Sequence, residues 1–272
     1  MKAMIFAAGL GTRLKPLTDR MPKALVPIAG KPLIQHVAEK LAQAGFADLV
    51  VNVHHFADML EFWCHAAQLG SDALSFSISD ERAELLETGG GIKHARPLLQ
   101  DVDRFLIHNV DILSNVRLAE FWQAGREHEA TLLVSERETQ RYLIFDDNMR
   151  LVGWTNIKTG EVRTPYPAVR EAFDSNYSAP VNAYSVLSSP FFRPQGSGPY
   201  HLYAFAGIHQ MSTKLFPLMD RWPDRFGIID FYLSICDQHD IHGFVQPDLR
   251  LLDVGKTDSL KQAEEWAESL CK

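Results

Sequence analysis

Residues 3–14 read Ala3-Met4-Ile5-Phe6-Ala7-Ala8-Gly9-Leu10-Gly11-Thr12-Arg13-Leu14, and this stretch decides the fold class. Its first half is an unbroken apolar run, the pattern of a strand buried on both faces of a parallel sheet. Its second half is a glycine-rich turn. At the carboxyl end of such a strand, backbone N–H groups are free and glycines let an anion approach closely. With Lys2 ahead of it, the run also has the outline of a signal peptide. It is too short for one, and Gly9 and Gly11 interrupt it. It reads as a first strand, and the chain as cytoplasmic with no membrane partner.

Working outward, apolar runs alternate with helical patterns, as in a parallel α/β sheet. Leu33, Ile34, Val37, Leu41 and Ala44 recur at helical spacing, and Gly45 closes that helix. Strands are predicted at 49–53, 75–79, 105–110, 131–135, 202–208, 241–245 and 249–254. Helices are predicted at 59–64, 91–99, 116–128 and 257–270. Residues 142–145 and 151–154 flank Asp146-Asp147-Asn148 as a hairpin. From 158 to 200 six prolines fall, and this segment reads as a long irregular insertion. The expectation is one domain over 1–272: a Rossmann-like, mixed, mostly parallel sheet with helices on both faces.

Composition narrows the function. The chain has 272 residues, 46% hydrophobic and 22% charged, which excludes disorder and fibrous classes. Its formal net charge of −7 argues against a nucleic-acid partner, which needs a basic face. A locally positive site for a phosphorylated small molecule is compatible with it. Three widely spaced cysteines without a CxxC pair indicate neither a disulfide framework nor a zinc site.

The loop is not a dinucleotide fingerprint, because Leu14 stands where the third glycine belongs, and Gly30-Lys31-Pro32 fails as a Walker A loop. What fits is longer: Gly9-x-Gly11-Thr12-Arg13, then Pro16-Leu17-Thr18, then Pro22-Lys23-x-Leu25-Val26-Pro27. This series resembles the sugar-1-phosphate nucleotidyltransferases, whose signature is G-x-G-T-R followed by P-K. The resemblance implies the reaction of an NTP with a sugar 1-phosphate to give an NDP-sugar and pyrophosphate, with Mg2+ as cofactor. It implies that Ala8, Gly9, Gly11, Thr12 and Arg13 hold the nucleotide, with Arg13 near the leaving pyrophosphate. Lys23 then stabilises charge at the reacting centre.

Two carboxylates suit the Mg2+ that a triphosphate requires. Asp111 ends the 105–110 strand, where the family has Gly-Asp and this chain has Val110-Asp111. Asp253, in Leu251-Leu252-Asp253-Val254-Gly255, ends another strand and resembles the family's late D-V/I-G-T segment. Glu87-Thr88-Gly89-Gly90-Gly91-Ile92 resembles the loop that reads the nucleobase. Here the chain is most similar to the N-acetylmuramate-1-phosphate uridylyltransferases, and less to the mannose- and heptose-1-phosphate guanylyltransferases. Glu87, Thr88 and Gly89 are therefore expected at the nucleotide. For the sugar, Gly207 of Phe205-Ala206-Gly207-Ile208 and Asn156 are the candidates, with Arg137 and Arg141 upstream as partners for an acceptor carboxylate.

Two rival readings remain. A phosphocholine cytidylyltransferase would use the same loop with a cationic acceptor, caged by aromatic residues such as Trp154. A non-catalytic nucleotide-sugar sensor would have lost the lysine or the carboxylates, and this sequence keeps all three.

Overall fold

The opening run forms β1 (Lys2–Phe6), four of its five residues buried. A computed structural model describes residues 1–69, 74–174 and 199–270. After β1 come β2 (Pro27–Ile28), β3 (Lys31–Pro32), α1 (Leu33–Gln43), β4 (Asp48–Val53), α2 (Ala57–Leu69) and β5 (Ser75–Asp80). Next are α3 (Glu87–His94), α4 (Arg96–Leu99), β6 (Arg104–Asn109), β7 (Ile112–Ser114), α5 (Leu118–Ala124) and β8 (Ala130–Ser135). The hairpin is β9 (Arg141–Phe145) and β10 (Leu151–Asn156), followed by β11 (Glu161–Arg163) and α6 (Pro167–Asp174). The chain ends with β12 (His201–Ser212), α7 (Phe216–Met219), α8 (Ile228–Ile235), β13 (Ile241–Val245), β14 (Leu251–Asp253) and α9 (Thr257–Leu270).

β1 pairs in parallel with β4 and with β6, and β5 extends the parallel half beside β4. Beyond β6 the sheet changes direction. β12 runs antiparallel to β6 and is long enough to pair with β8 and then with β9. The result is one mixed sheet in a single α/β domain.

Alternation along the strands sorts the core into two faces. Ala3, Ile5, Leu49, Val51 and Leu106 pack with α1, α2, α5 and Ala263 of α9. Met4, Val50, Phe105 and Ile107 pack with Ile92, Leu99, Phe216, Phe231 and Tyr232 on the other face. A strand with side chains of both parities buried needs helices on both sides, which is why its sequence is continuously apolar.

Three expectations are corrected. The helix predicted over 116–128 is only α5, because the Gln210 side chain enters at Gly125 and its Nε2 donates to Phe121 O (2.6 Å). The helix predicted from residue 91 starts at Glu87. The segment from 158 is regular where it is described: β11 joins the sheet, and Pro167 opens α6 at a position whose missing N–H costs nothing. Val169 and Phe173 of α6 pack onto Tyr142 and Ile144. Residues 175–198 of that expected insertion lie outside the described residues. Helices α7 and α8 were not predicted.

Cys64 and Cys236 are buried free thiols, and burial pushes both up to about 12. Cys271 lies outside the described residues. Among the described residues, no helix is long and apolar enough to cross a membrane.

Candidate active site

Strand register sets the floor of the site. Phe6 stands beside Asn52 of β4 and beside Asn109 of β6, so three strands end on one row. A cleft of about 560 Å³ opens there, lined by residues 7–13, Lys23, Glu87, Thr88, Asp111 and Gly255 among others.

Asn52 holds the base of the loop. Its Oδ1 accepts from Ala7 N (2.7 Å) and Ala8 N (3.3 Å), and its Nδ2 donates to Glu81 Oε1 (2.7 Å). Glu81 Oε2 accepts from Leu86 N (3.3 Å). The amide of Ala8 is thus engaged by Asn52, while Ala8 itself lines the cleft as expected of a residue beside the nucleotide. The amides of Gly9, Leu10, Gly11 and Thr12 make no hydrogen bond within the described residues. Unpaired N–H groups at a strand's carboxyl end make an anion site. Gly11 turns the loop at φ +63°, and a Cβ there would meet Thr18 Cγ2 at 2.8 Å. Thr18 Oγ1 fixes that turn by donating to Gly11 O (2.9 Å).

Lys23 follows Pro22, whose backbone is extended, and lies against the loop, its Cβ 3.1 Å from where a Cβ on Gly11 would stand. Its Nζ is ion-paired with Asp111 Oδ2, and both side chains are mostly buried. Two residues expected to act separately are therefore in contact, each neutralising the other. Removing one partner of such a pair strands a charge at a cost of about 3–5 kcal/mol.

Asp253 arrives through β14, which pairs with β7 and is continued by Val254 N donating to Asp111 O (2.8 Å). Its exposed carboxylate flanks Gly255, and so does the Arg13 guanidinium: a Cβ on Gly255 would lie 2.4 Å from Asp253 Oδ1 and 2.8 Å from Arg13 Nη2. Asp111, Arg13 and Lys23 thus line one rim of the cleft, and Asp253 stands just outside that lining, beside Gly255 and Arg13.

The glycine triplet is where sequence reasoning fails. Gly89, Gly90 and Gly91 are not a loop open to a base; they are buried inside α3. A Cβ would meet the Phe226 ring at 2.3 Å from Gly89, Asp224 O at 2.0 Å from Gly90, and Glu81 Oε1 at 2.8 Å from Gly91. Successive helical residues point about 100° apart, so each glycine clears a different neighbour. Gly89 N also donates to Phe226 O (2.8 Å). The expected nucleotide contact at Gly89 is corrected accordingly. Glu87 and Thr88 do line the cleft. Glu87 sits at φ +62° and pairs with Arg225 (3.2 Å), while Thr88 Oγ1 accepts from Ile228 N (2.9 Å).

The two sugar candidates separate. Gly207, at φ +76°, lies over Asn109, whose Nδ2 would be 2.9 Å from a Cβ. Asn156 is not at the cleft. It lines a neighbouring pocket of about 530 Å³ with Arg137, Arg141, Arg163, Trp154 and Phe205. Arg163 stacks on Trp154 at 3.8 Å and pairs with Asp230, and Arg137 Nη2 donates to Phe205 O (3.1 Å).

Sequence reasoning missed Asn52 and Glu81. The available signal was one polar residue near the end of an otherwise apolar strand, and an acid just past another. His108 is a fully buried core residue, held neutral by burial at a pKa of about 4.

The sequence profile of the nucleotidyl transferase family matches residues 2–143. N-acetylmuramate α-1-phosphate uridylyltransferase from Caulobacter vibrioides is 51% identical over 109 residues, 40% of this chain and 45% of the relative. The enzyme of that name from Neisseria meningitidis is 43% identical over 126 residues, 46% of this chain and 53% of the relative. This chain spans about half the length of these curated relatives in the matched region. In fold, the inositol-1-phosphate CTP transferase of T. maritima superposes with a TM-score of 0.70 at 15% identity, covering 98% of this chain and 95% of that one. With a profile match over half its length laid on the strand-and-loop frame that carries the cleft, the chain belongs to the nucleotidyl transferase family.

Proposed function

We propose that this chain transfers a nucleotidyl group from an NTP to a sugar 1-phosphate and releases pyrophosphate, with UTP and N-acetylmuramate 1-phosphate as its substrates. The observation that carries this reading is the loop of unpaired amides from Gly9 to Thr12 standing over the Lys23–Asp111 pair. The loop offers N–H groups to a triphosphate, and Arg13 at its end adds a charged donor for the departing pyrophosphate. Lys23 is placed to neutralise charge where the sugar-phosphate oxygen attacks the α-phosphorus. Since the acceptor is already an anion, no general base or covalent nucleophile is required; the work is positioning and charge neutralisation.

Asp111 and Asp253 fit a hard divalent cation, being carboxylates brought together by the β14–β7 pairing. Bound there, Mg2+ would supply further neutralisation of the phosphates, and Lys23 would be released from Asp111 toward them. The choice of uridylyl transfer rests on the two N-acetylmuramate relatives. The arginines of the neighbouring pocket offer cations for the acceptor's lactyl carboxylate. The phosphocholine reading loses support, because Arg163 already occupies the face of Trp154. The same reading places the chain in the cytoplasm.

The test is a matrix of four NTPs against muramate, glucosamine, mannose and heptose 1-phosphates and phosphocholine, scored by pyrophosphate release with Mg2+. UTP with N-acetylmuramate 1-phosphate is expected to lead, with the signal at least 10²-fold lower in Asp111→Asn. Preference for GTP with mannose or heptose 1-phosphate would overturn the uridylyl reading. No release from any pair would favour the sensor.

A further inference from the structure

A second pocket lies between α1 and β7. His36, Lys40 and Gln43 follow one another at i, i+4 and i+7, so they share one stripe of α1. With Lys31 and Glu39 they form one wall of a cavity of about 260 Å³, and the three residues of β7 form the other. β7 begins directly after Asp111, yet this pocket and the cleft share no lining residue.

The charges of this lining do not balance. Its one carboxylate, Glu39, is already engaged: Lys31 Nζ donates to both of its oxygens (3.0 and 2.8 Å), and Gln35 Nε2 donates to it as well (2.8 Å). Glu264, which reaches Ala29 of the lining, accepts from the Ala29 N–H. His36 Nε2 donates to Ile28 O (2.8 Å). Lys40 is left over. Its half-buried ammonium has neither an ion pair nor a hydrogen bond among the described residues, and burial holds it below its ordinary range. His108 feels that charge but is itself held neutral, so it supplies no countercharge. On the β7 wall Ser114 is 4% exposed, and its buried hydroxyl has no partner among the described residues. A cation drawn out of water without a countercharge is costly, and so is a buried hydroxyl without a partner. One anion between the two walls answers both.

We propose that the pocket between α1 and β7 binds a phosphate-type oxyanion, with Lys40 as its countercharge and Ser114 as a neutral donor. Size selects a small ligand, since the cavity falls below the roughly 300–1,000 Å³ that encloses drug-sized molecules. Free phosphate, or the phosphate end of a monoester, fits; a whole nucleotide does not. Donors stand on opposite walls, with the Gln43 amide on the same stripe as Lys40, which suits a tetrahedral oxyanion more than a planar carboxylate. The bound anion ties α1 to β7 and stabilises the folded chain by mass action. The assignment is independent of which NTP and which acceptor occupy the cleft.

Calorimetric titration with inorganic phosphate, in chloride buffer of matched ionic strength, should find one more phosphate per wild-type chain than per Lys40→Met chain. Comparing the two proteins cancels any phosphate taken up by the cleft. Lys40→Arg, which keeps the charge, should retain the site. At a hundredfold excess over Kd, phosphate should raise the thermal midpoint of the wild type about 5 °C more than that of Lys40→Met. In chloride alone Lys40→Met should melt no lower than the wild type, because it removes an unpaired charge, and its nucleotidyl transfer should be unchanged. Glycerol 3-phosphate in place of phosphate separates the two sources: tighter binding than phosphate assigns the site to a monoester, and weaker binding assigns it to the free anion. Equal phosphate stoichiometry in wild type and Lys40→Met, or a Lys40→Met protein clearly less stable than wild type in chloride, would overturn the proposal.

Discussion

Two glycine-rich stretches frame the cleft, and they do opposite things. Gly9 and Gly11 leave backbone exposed: Gly9 has nothing within 4 Å of where a Cβ would stand, and the amides from Gly9 to Thr12 are unpaired. Gly89, Gly90 and Gly91 leave nothing exposed; each gives up its Cβ so that another part of the chain can press against α3. A glycine in a sequence states that a Cβ is missing. Whether solvent, a ligand or the protein's own backbone fills the space depends on the neighbours. The two stretches meet through Asn52 and Glu81: Asn52 holds the loop amides, and Gly91 makes room for the carboxylate that Asn52 binds.

The largest expected effect separates packing from binding. Gly90→Ala places a methyl group 2.0 Å from the rigid carbonyl of Asp224, which cannot rotate away. Relief requires α3 to shift, and overpacking of this kind costs about 3 kcal/mol, less the fraction that alanine regains in a helix. The thermal midpoint should fall by roughly 6 °C, while NTP affinity of the folded protein stays near wild type. A more stable Gly90→Ala protein would mean that the triplet is not a packing device.

Gly9→Ala should do the reverse. With open space around its Cβ and no left-handed backbone to strain, stability should change by no more than about 0.5 kcal/mol. A phosphate lying against the loop would meet the new methyl group, so KM for the NTP should rise about tenfold. Unchanged KM with unchanged stability would break the comparison, since the loop would then hold no phosphate.

The smallest effect lies at the junction. Burial raises the Glu81 carboxyl above its ordinary range, outweighing the hydrogen bonds from Asn52 and Leu86 that lower it. The folded state therefore holds this proton to higher pH than the unfolded chain does. Its contribution to stability is fully present below the unfolded value of about 4.5 and is lost as pH rises through the folded value. Glu81→Gln should flatten that slope in urea melts across pH 4 to 7, and an unaltered slope would remove Glu81 as its source.

The reach of the sequence can be judged from particular residues. β1, β4 and β6 were legible because strands buried on both faces are continuously apolar. That Gly9 to Arg13 and Asp111 lie at the cleft was legible because a strand followed by a short loop keeps its geometry locally, and Lys23 was legible only through its resemblance to the family's P-K spacing. Asn52 and Glu81 were not, since their role is to contact residues 45 and 29 positions away along the chain, and nothing local marks it. The first turn of α3 was misread because glycine normally disfavours helix, and the compensating contacts come from Phe226 and Asp224.

By itself, then, the sequence determined the α/β class, the glycine-rich loop after β1 and, through the family spacing, the lysine and aspartate beside it, since each follows from local pattern and strand burial. Only the tertiary structure decided that Lys23 and Asp111 neutralise each other, that Asn156 belongs to a separate arginine-lined pocket, and that the triplet packs rather than binds. The physical reason is common to all three. Each depends on which distant backbone arrives at a given surface, and arrival is set by sheet register and helix docking, not by neighbours in the chain.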